Sequence, residues 1–328
     1  MQSNTKAFAS VAALGLGAVA IAATAPVTGS VNIAGSSTVA PITIAVAESF
    51  RDMNPDLQIQ NAITGTGGGF KRFTVGETDI SNASRPIKWS EVKVARENGV
   101  EFIELPVAYD GLTFVVNNDN YWCDQLSVED MKKLFLEGST VKTWNDLNPN
   151  WPNRDIKMFI PGTDSGTFDY FKEVVVGDGN VRGDVTVSED DNILVNGVAN
   201  EAGAIGFFGV AYYEENKDKL KAVNIVNPET GEAVGPTPEA IEAGDYAPFS
   251  RPLFVYVNTK SAQRPEIRAF VQYYLENGGK YASQVGYVPL PQSVYFRAMR
   301  NFRQGKTGTQ FHDADGNAVK GSVVNVYR

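Results

Sequence analysis

Three short stretches hold most of the groups able to do chemistry in this chain. They are Gly35-Ser36-Ser37-Thr38-Val39, Thr64-Gly65-Thr66-Gly67-Gly68-Gly69 and Gly162-Thr163-Asp164-Ser165-Gly166-Thr167. Each follows a strand-like run and opens a helix-like one, so hydroxyls and unpaired helix-start N–H groups collect where the helix end is partly positive. That chemistry binds anions without net charge: glycine lets the backbone come close, and Ser and Thr donate hydrogen bonds. One such loop alone is most often a helix cap; three in equivalent places point to one ligand. Neither GxxxxGK[ST] nor GxGxxG is present, since Phe70 stands where the last glycine would be, and Ser165 lacks the spacing of a nucleophile elbow.

The chain holds one His and one Cys, His312 and Cys123. A zinc site built on several such ligands cannot be assembled from them, no disulfide forms within the chain, and any Ser-His-Asp or Cys-His mechanism would depend on His312 in a polar tail. No metal or cofactor is expected.

The elements that must position the loops alternate. A strand from Val31 to Ala34 precedes a helix opened by Pro41; a strand from Leu57 to Ile63 precedes the Thr64–Gly69 loop and a short helix from Phe70; a strand from Asp79 to Ala83 runs into Ser84-Arg85-Pro86, with Ser90 capping a helix to Asn98. Farther on come a helix from Ser127 to Glu137, a strand from Ile156 to Ile160, a helix from Phe168, and a helix from Pro265 to Asn277 stopped by Gly278-Gly279. This alternation predicts an α/β fold. Two matching apolar runs, Gly111 to Asn117 and Pro252 to Asn258, read as crossings between two lobes. Lobe I is then 26–116 with 252–328, and lobe II is 117–251; the hinge falls near Asn117 and Asn258, and 301–328 is a polar surface tail.

With 328 residues, 43% apolar and 20% charged, the chain is long enough for two cored lobes. A net charge of −9 with no basic run argues against nucleic acid or an anionic membrane surface. Lys6, an apolar stretch to Ala22 and the small residues Ala23-Thr24-Ala25 read as a signal peptide over 1–25, and no Cys follows to carry a lipid. The expectation is an exported, unanchored monomer.

In combination, GSSTVAP at 35–41, GTGGGFKRF at 65–73, SRPI at 84–87, PVAYDGL at 106–112 and GTDSGTFDYF at 162–171 resemble the phosphate-binding proteins of high-affinity phosphate ABC transporters. The resemblance implies a two-lobed periplasmic binding protein, type II-like, with two mixed sheets flanked by helices. Such a protein binds inorganic phosphate between its lobes and delivers it to a membrane permease. It places ligand contacts at Ser37, Thr38, Val39, Thr66, Gly67, Ser84, Ser165, Gly166 and Thr167. Two positions depart from the family pattern: Arg85 replaces an Asp after Ser84, and Pro161-Gly162 stand where an Arg is usual. Arg85 is therefore the expected fork for two phosphate oxygens, or else a structural ion pair with Asp110 or Asp79. Asp164 is the expected acceptor of the ligand's proton, which sulfate lacks, with Asp110 the competing candidate. The departures also keep open a receptor for another oxyanion, sulfate or a phosphonate; a periplasmic hydrolase is disfavoured by the scarcity of His and Cys.

Overall fold

The computed structural model describes residues 26–328 apart from 164. The signal-peptide reading of 1–25 and the role assigned to Asp164 lie outside the described residues, and no described helix is long and apolar enough to cross a membrane.

The chain begins as the alternation predicts, with strands β1 (Gly29–Gly35), β2 (Leu57–Ile63) and β3 (Ile80–Ala83), helix α1 (Ala40–Met53) between β1 and β2, and α2 (Gly65–Phe73) between β2 and β3. β1 pairs in parallel with both β2 and β3. Helix α3 (Trp89–Glu97) then leads into β4 (Phe102–Asn117), sixteen residues buried from end to end. β4 joins two sheet halves. Residues 102–111 pair antiparallel with a late strand, Ser250–Asn258, which also pairs with β3; residues 112–117 pair with Ala204–Gly209 and Leu220–Ala222. The strands Lys157–Pro161 and Thr186–Ser188 complete the second half in parallel. The partner change falls at Gly111–Leu112, and the late strand enters at Ser250 and Arg251; Asn117 and Asn258 end their strands away from this junction. The architecture is α/β, a curled mixed sheet with flanking helices.

Aromatic packing fixes the second half. Phe171 stacks on Phe207 at 4.2 Å, and Phe114, Phe135 and Phe249 close around them. Each ring contributes about 1.5–3 kcal/mol on burial. Phe171 ends the helix α4 (Gly166–Phe171), so this cluster anchors the π-turn Lys172–Val176 that follows it.

Four local expectations are corrected. The Thr64–Gly69 stretch is not a loop before a helix: α2 starts at Gly65, because Gly69 must pack bare against Gly35, whose Cα would lie 2.5 Å from an added Cβ. Ser90 does not cap α3; the start is closed at Lys88, whose N–H donates to Glu91 Oε2 at 2.8 Å. Gly278 and Gly279 do not stop their helix, α5 (Pro265–Gln284), since they make room for Tyr274 and Tyr295. Finally, the 301–328 tail is not a surface extension. After helix α6 (Gln292–Gln304) the chain folds back onto the first sheet half, with Phe311 5%, Val323 1% and Tyr327 0% exposed.

Candidate functional site

Where the two halves meet, Ser36, Ser37, Thr38, Gly65, Thr66, Gly67, Ser84, Arg85, Asp169, Glu173 and Arg251 line a cavity of about 250 Å³. The start of α1 supplies the first group. Ser36 Oγ accepts from Val39 N–H at 3.3 Å, and this bond and the backbone turn leave the Ser37 and Thr38 hydroxyls facing the cleft. The start of α2 supplies the second. Its first N–H groups have no partner within the helix, and Thr66 Oγ1 ties it to the loop after β3 by accepting from Ser84 N–H at 3.1 Å and meeting Ser84 Oγ at 3.0 Å.

Arg85 borders the cavity, but its fork is already engaged. Nη1 and Nη2 donate to the two carboxylate oxygens of Glu91 at 2.9 and 2.8 Å. Its structural partner is thus Glu91, not Asp110 or Asp79; Asp79 serves Asn32 N–H, Ser261 and Arg264.

The cation centred on this site is Arg251, which the sequence reading missed. Its Nη2 donates to Thr38 Oγ1 at 3.1 Å, its Nη1 to Glu173 Oε2 at 3.1 Å and its Nε to Asp110 Oδ2 at 3.3 Å, while the guanidinium lies 3.5 Å from the centre of the Tyr170 ring. Only 13% of its side chain is exposed. A flat fork held this way keeps further N–H groups for an oxyanion. Asp110 beneath it is buried, and burial raises its pKa above the ordinary carboxylate value while Arg251 pulls the other way. Its Oδ1 accepts no hydrogen bond from a described residue. One signal was available in the sequence: Arg251 directly precedes the second apolar run, and in the antiparallel register it stands opposite Asp110.

The third predicted loop is placed differently from the first two. Ser165 caps α4, its Oγ accepting from Thr167 N–H at 3.2 Å, and neither Ser165, Gly166 nor Thr167 borders the cavity. Gly166 instead presses against Thr38, whose Oγ1 lies 3.4 Å from the Gly166 carbonyl; an added Cβ would sit 2.5 Å from Thr38 Cα. Ser37 reaches across in the same way, donating to Asp169 Oδ2 at 2.6 Å. The two sheet halves therefore meet in a closed contact, with carboxylates Asp169 and Glu173 facing the hydroxyls. Val39, Phe70 and Tyr109 belong to the core.

Residues 20–277 match a family model described as a PBP superfamily domain. Over 296 residues, 90% of this chain and 87% of the relative, the sequence is 47% identical to protein SphX of Synechococcus elongatus. The chain belongs to the PBP superfamily. Within it, the phosphate-binding protein PstS of Staphylococcus saprophyticus is 40% identical over 81% of this chain and 82% of its own. A solved structure described as a possible phosphate binding protein from Planctomyces limnophilus superposes with a TM-score of 0.82 at 40% identity, covering 85% of this chain and 99% of that one. The two-lobed fold is shared with that structure, and the family model matches the chain as far as residue 277.

Proposed function

We propose that this chain is an exported receptor that binds inorganic phosphate in the cleft and delivers it to the permease of a phosphate ABC transporter. The observation that carries the reading is Arg251, half-buried and fork-shaped, sharing one small cavity with Thr38, Thr66, Ser84 and the start of α2. Relatives named as phosphate-binding proteins support it over most of the chain's length. In this reading Thr66, Gly67 and Ser84 donate to the anion, the Ser37 and Thr38 hydroxyls turn to it from Asp169 and the Gly166 carbonyl, and Arg251 neutralises it. The Ser165–Thr167 turn holds the closed contact around it. The low local dielectric of a closed cleft strengthens each of these dipoles, so the net charge of −9 is no obstacle. The lobes close about the strand junction at Gly111–Leu112 and Ser250–Arg251.

In this reading selectivity comes from a carboxylate that the anion reaches. Hydrogen phosphate donates a proton to a buried acceptor, and sulfate, with none to donate, meets repulsion there. Asp164 and Asp110 are the two candidates.

Calorimetric titration of the mature protein, stripped of anion, with phosphate and then sulfate tests the reading. Phosphate binding without sulfate binding is expected, together with loss of phosphate binding in Arg251→Ala. A sulfate response equal to that of phosphate would make the ligand a different oxyanion. Between Asp164→Asn and Asp110→Asn, the variant that loses discrimination against sulfate identifies the acceptor.

A further inference from the structure

The strands that carry the site also carry a buried polar chain that anion binding does not itself use. Glu104 in β4 is 3% exposed; its Oε2 accepts from Tyr256 Oη at 2.9 Å and its Oε1 from Gln310 N–H at 2.9 Å. Tyr256 stands opposite Glu104 in the antiparallel register, and its Oη accepts from the backbone N–H of Ile87 at 2.9 Å. Ile87 closes the loop that begins with Ser84 and Arg85, both on the cavity wall. The Tyr256 ring also packs edge-on against Phe70 of α2 at 5.0 Å. Two of the three first-half elements that line the cleft, the Ser84 loop and helix α2, therefore touch one tyrosine.

The C-terminal segment holds the other end of this chain. Besides Gln310, Tyr327 Oη donates to the Glu104 carbonyl at 2.8 Å, Gly308 N–H donates to the Phe102 carbonyl at 2.9 Å, and Phe311 packs on Phe254 at 5.1 Å. Lys306 and the Gln310 side chain both bond to Arg328, closing the segment on itself.

We infer that residues 305–328 form a clasp that sets the shape of the anion cleft, with Glu104 and Tyr256 as positioning residues between clasp and cleft. The inference rests on the phosphate reading above. The physical step is short. A buried N–H needs an acceptor, Ile87 finds it in Tyr256 Oη, and that hydroxyl can point its lone pair there because its own proton goes to Glu104. Untying the clasp frees Glu104, then Tyr256, then the loop bearing Ser84.

The test uses the full mature chain with Tyr256→Phe and, in the clasp itself, Tyr327→Phe. Tyr295→Phe is the control, since it removes an equally buried hydroxyl bond, to the Val107 carbonyl at 2.7 Å, outside this chain of contacts. Phosphate affinity and hydrogen–deuterium exchange over 84–88 are read together. Tyr256→Phe should weaken phosphate binding by about tenfold and Tyr327→Phe by about threefold, the scale of one lost hydrogen bond. Both should speed exchange at 84–88, and Tyr295→Phe should do neither. Affinities within about twofold of wild type in the two test variants, with unchanged exchange at 84–88, would overturn the clasp and leave a plain core contact. Wild-type protein that binds no phosphate would refute the ligand reading instead; faster exchange at 84–88 in Tyr327→Phe would still support the clasp.

Discussion

Arg251 already answers to three protein groups, Thr38, Glu173 and Asp110, and an arriving phosphate must share it with them. The three are not equal competitors. Asp110 is buried in β4 and fixed by its strand, and Thr38 is a neutral hydroxyl. The Glu173 side chain is 67% exposed on a π-turn, so its ion pair is screened and worth no more than about 1 kcal/mol. A phosphate oxygen inside the closed cleft interacts with Nη1 more strongly, and Glu173 is the group that yields. Glu173→Gln should therefore tighten phosphate binding by about threefold, following the screened-pair scale, as read by calorimetry at fixed ionic strength. Weaker binding in this variant would mean that Glu173 holds the guanidinium in place. Arg251→Lys should cost more than about tenfold in affinity, because an ammonium offers neither the fork nor the flat face that lies on Tyr170.

At the scale of elements, the closing contact is made by a helix end without a side chain. Gly166 meets Thr38 so tightly that a methyl group would force the α1 and α4 starts apart. Gly166→Ala should weaken phosphate binding by at least about tenfold while shifting the melting temperature little without phosphate, the result expected when opening of the cleft relieves the clash; equal losses in both would place the defect in folding. The first turns of α1 and α2 could be read from the sequence because strand, Gly/Ser/Thr run and amphipathic helix follow one another locally. What could not be read depends on contacts distant in sequence. The ion pair of Arg85 with Glu91 joins a loop to the next helix, and Arg251 adjoins Thr38 only across 213 positions. The paired glycines of α5 signalled a stop in isolation but serve Tyr295, a residue outside the helix. The polar composition of 301–328 likewise hid the three apolar side chains, Phe311, Val323 and Tyr327, that dock it.

For the molecule as a whole, the buried carboxyl of Glu104 links stability to pH. Burial is the main cause that pushes its pKa from 4.5 up to about 7, against the opposing pull of Thr309, Gln310 and Tyr256 hydrogen bonds and the Lys306 charge. Between those two values the folded chain holds a proton that the unfolded chain has released, so the folded state binds more protons and stability falls as pH rises from about 4.5 through 7. Asp191, pushed up to about 6 mainly by burial and then by Asp190 and Glu189, acts in the same direction. So does the self-repulsion of a chain carrying −9 at pH 7. Separating Glu104 from these requires a comparison of slopes. Glu104→Gln keeps the shape and cannot ionise; it loses about 1 kcal/mol at every pH through its poorer match to Tyr256, but it removes a pH-dependent loss on the order of 2–3 kcal/mol. Phosphate-free wild type should melt lower at pH 7.5 than at pH 5, and the variant's melting temperature should change distinctly less across the same interval. Parallel profiles for the two proteins would show that Glu104 is ionised throughout, and the downward trend would then belong to Asp191 and the net charge.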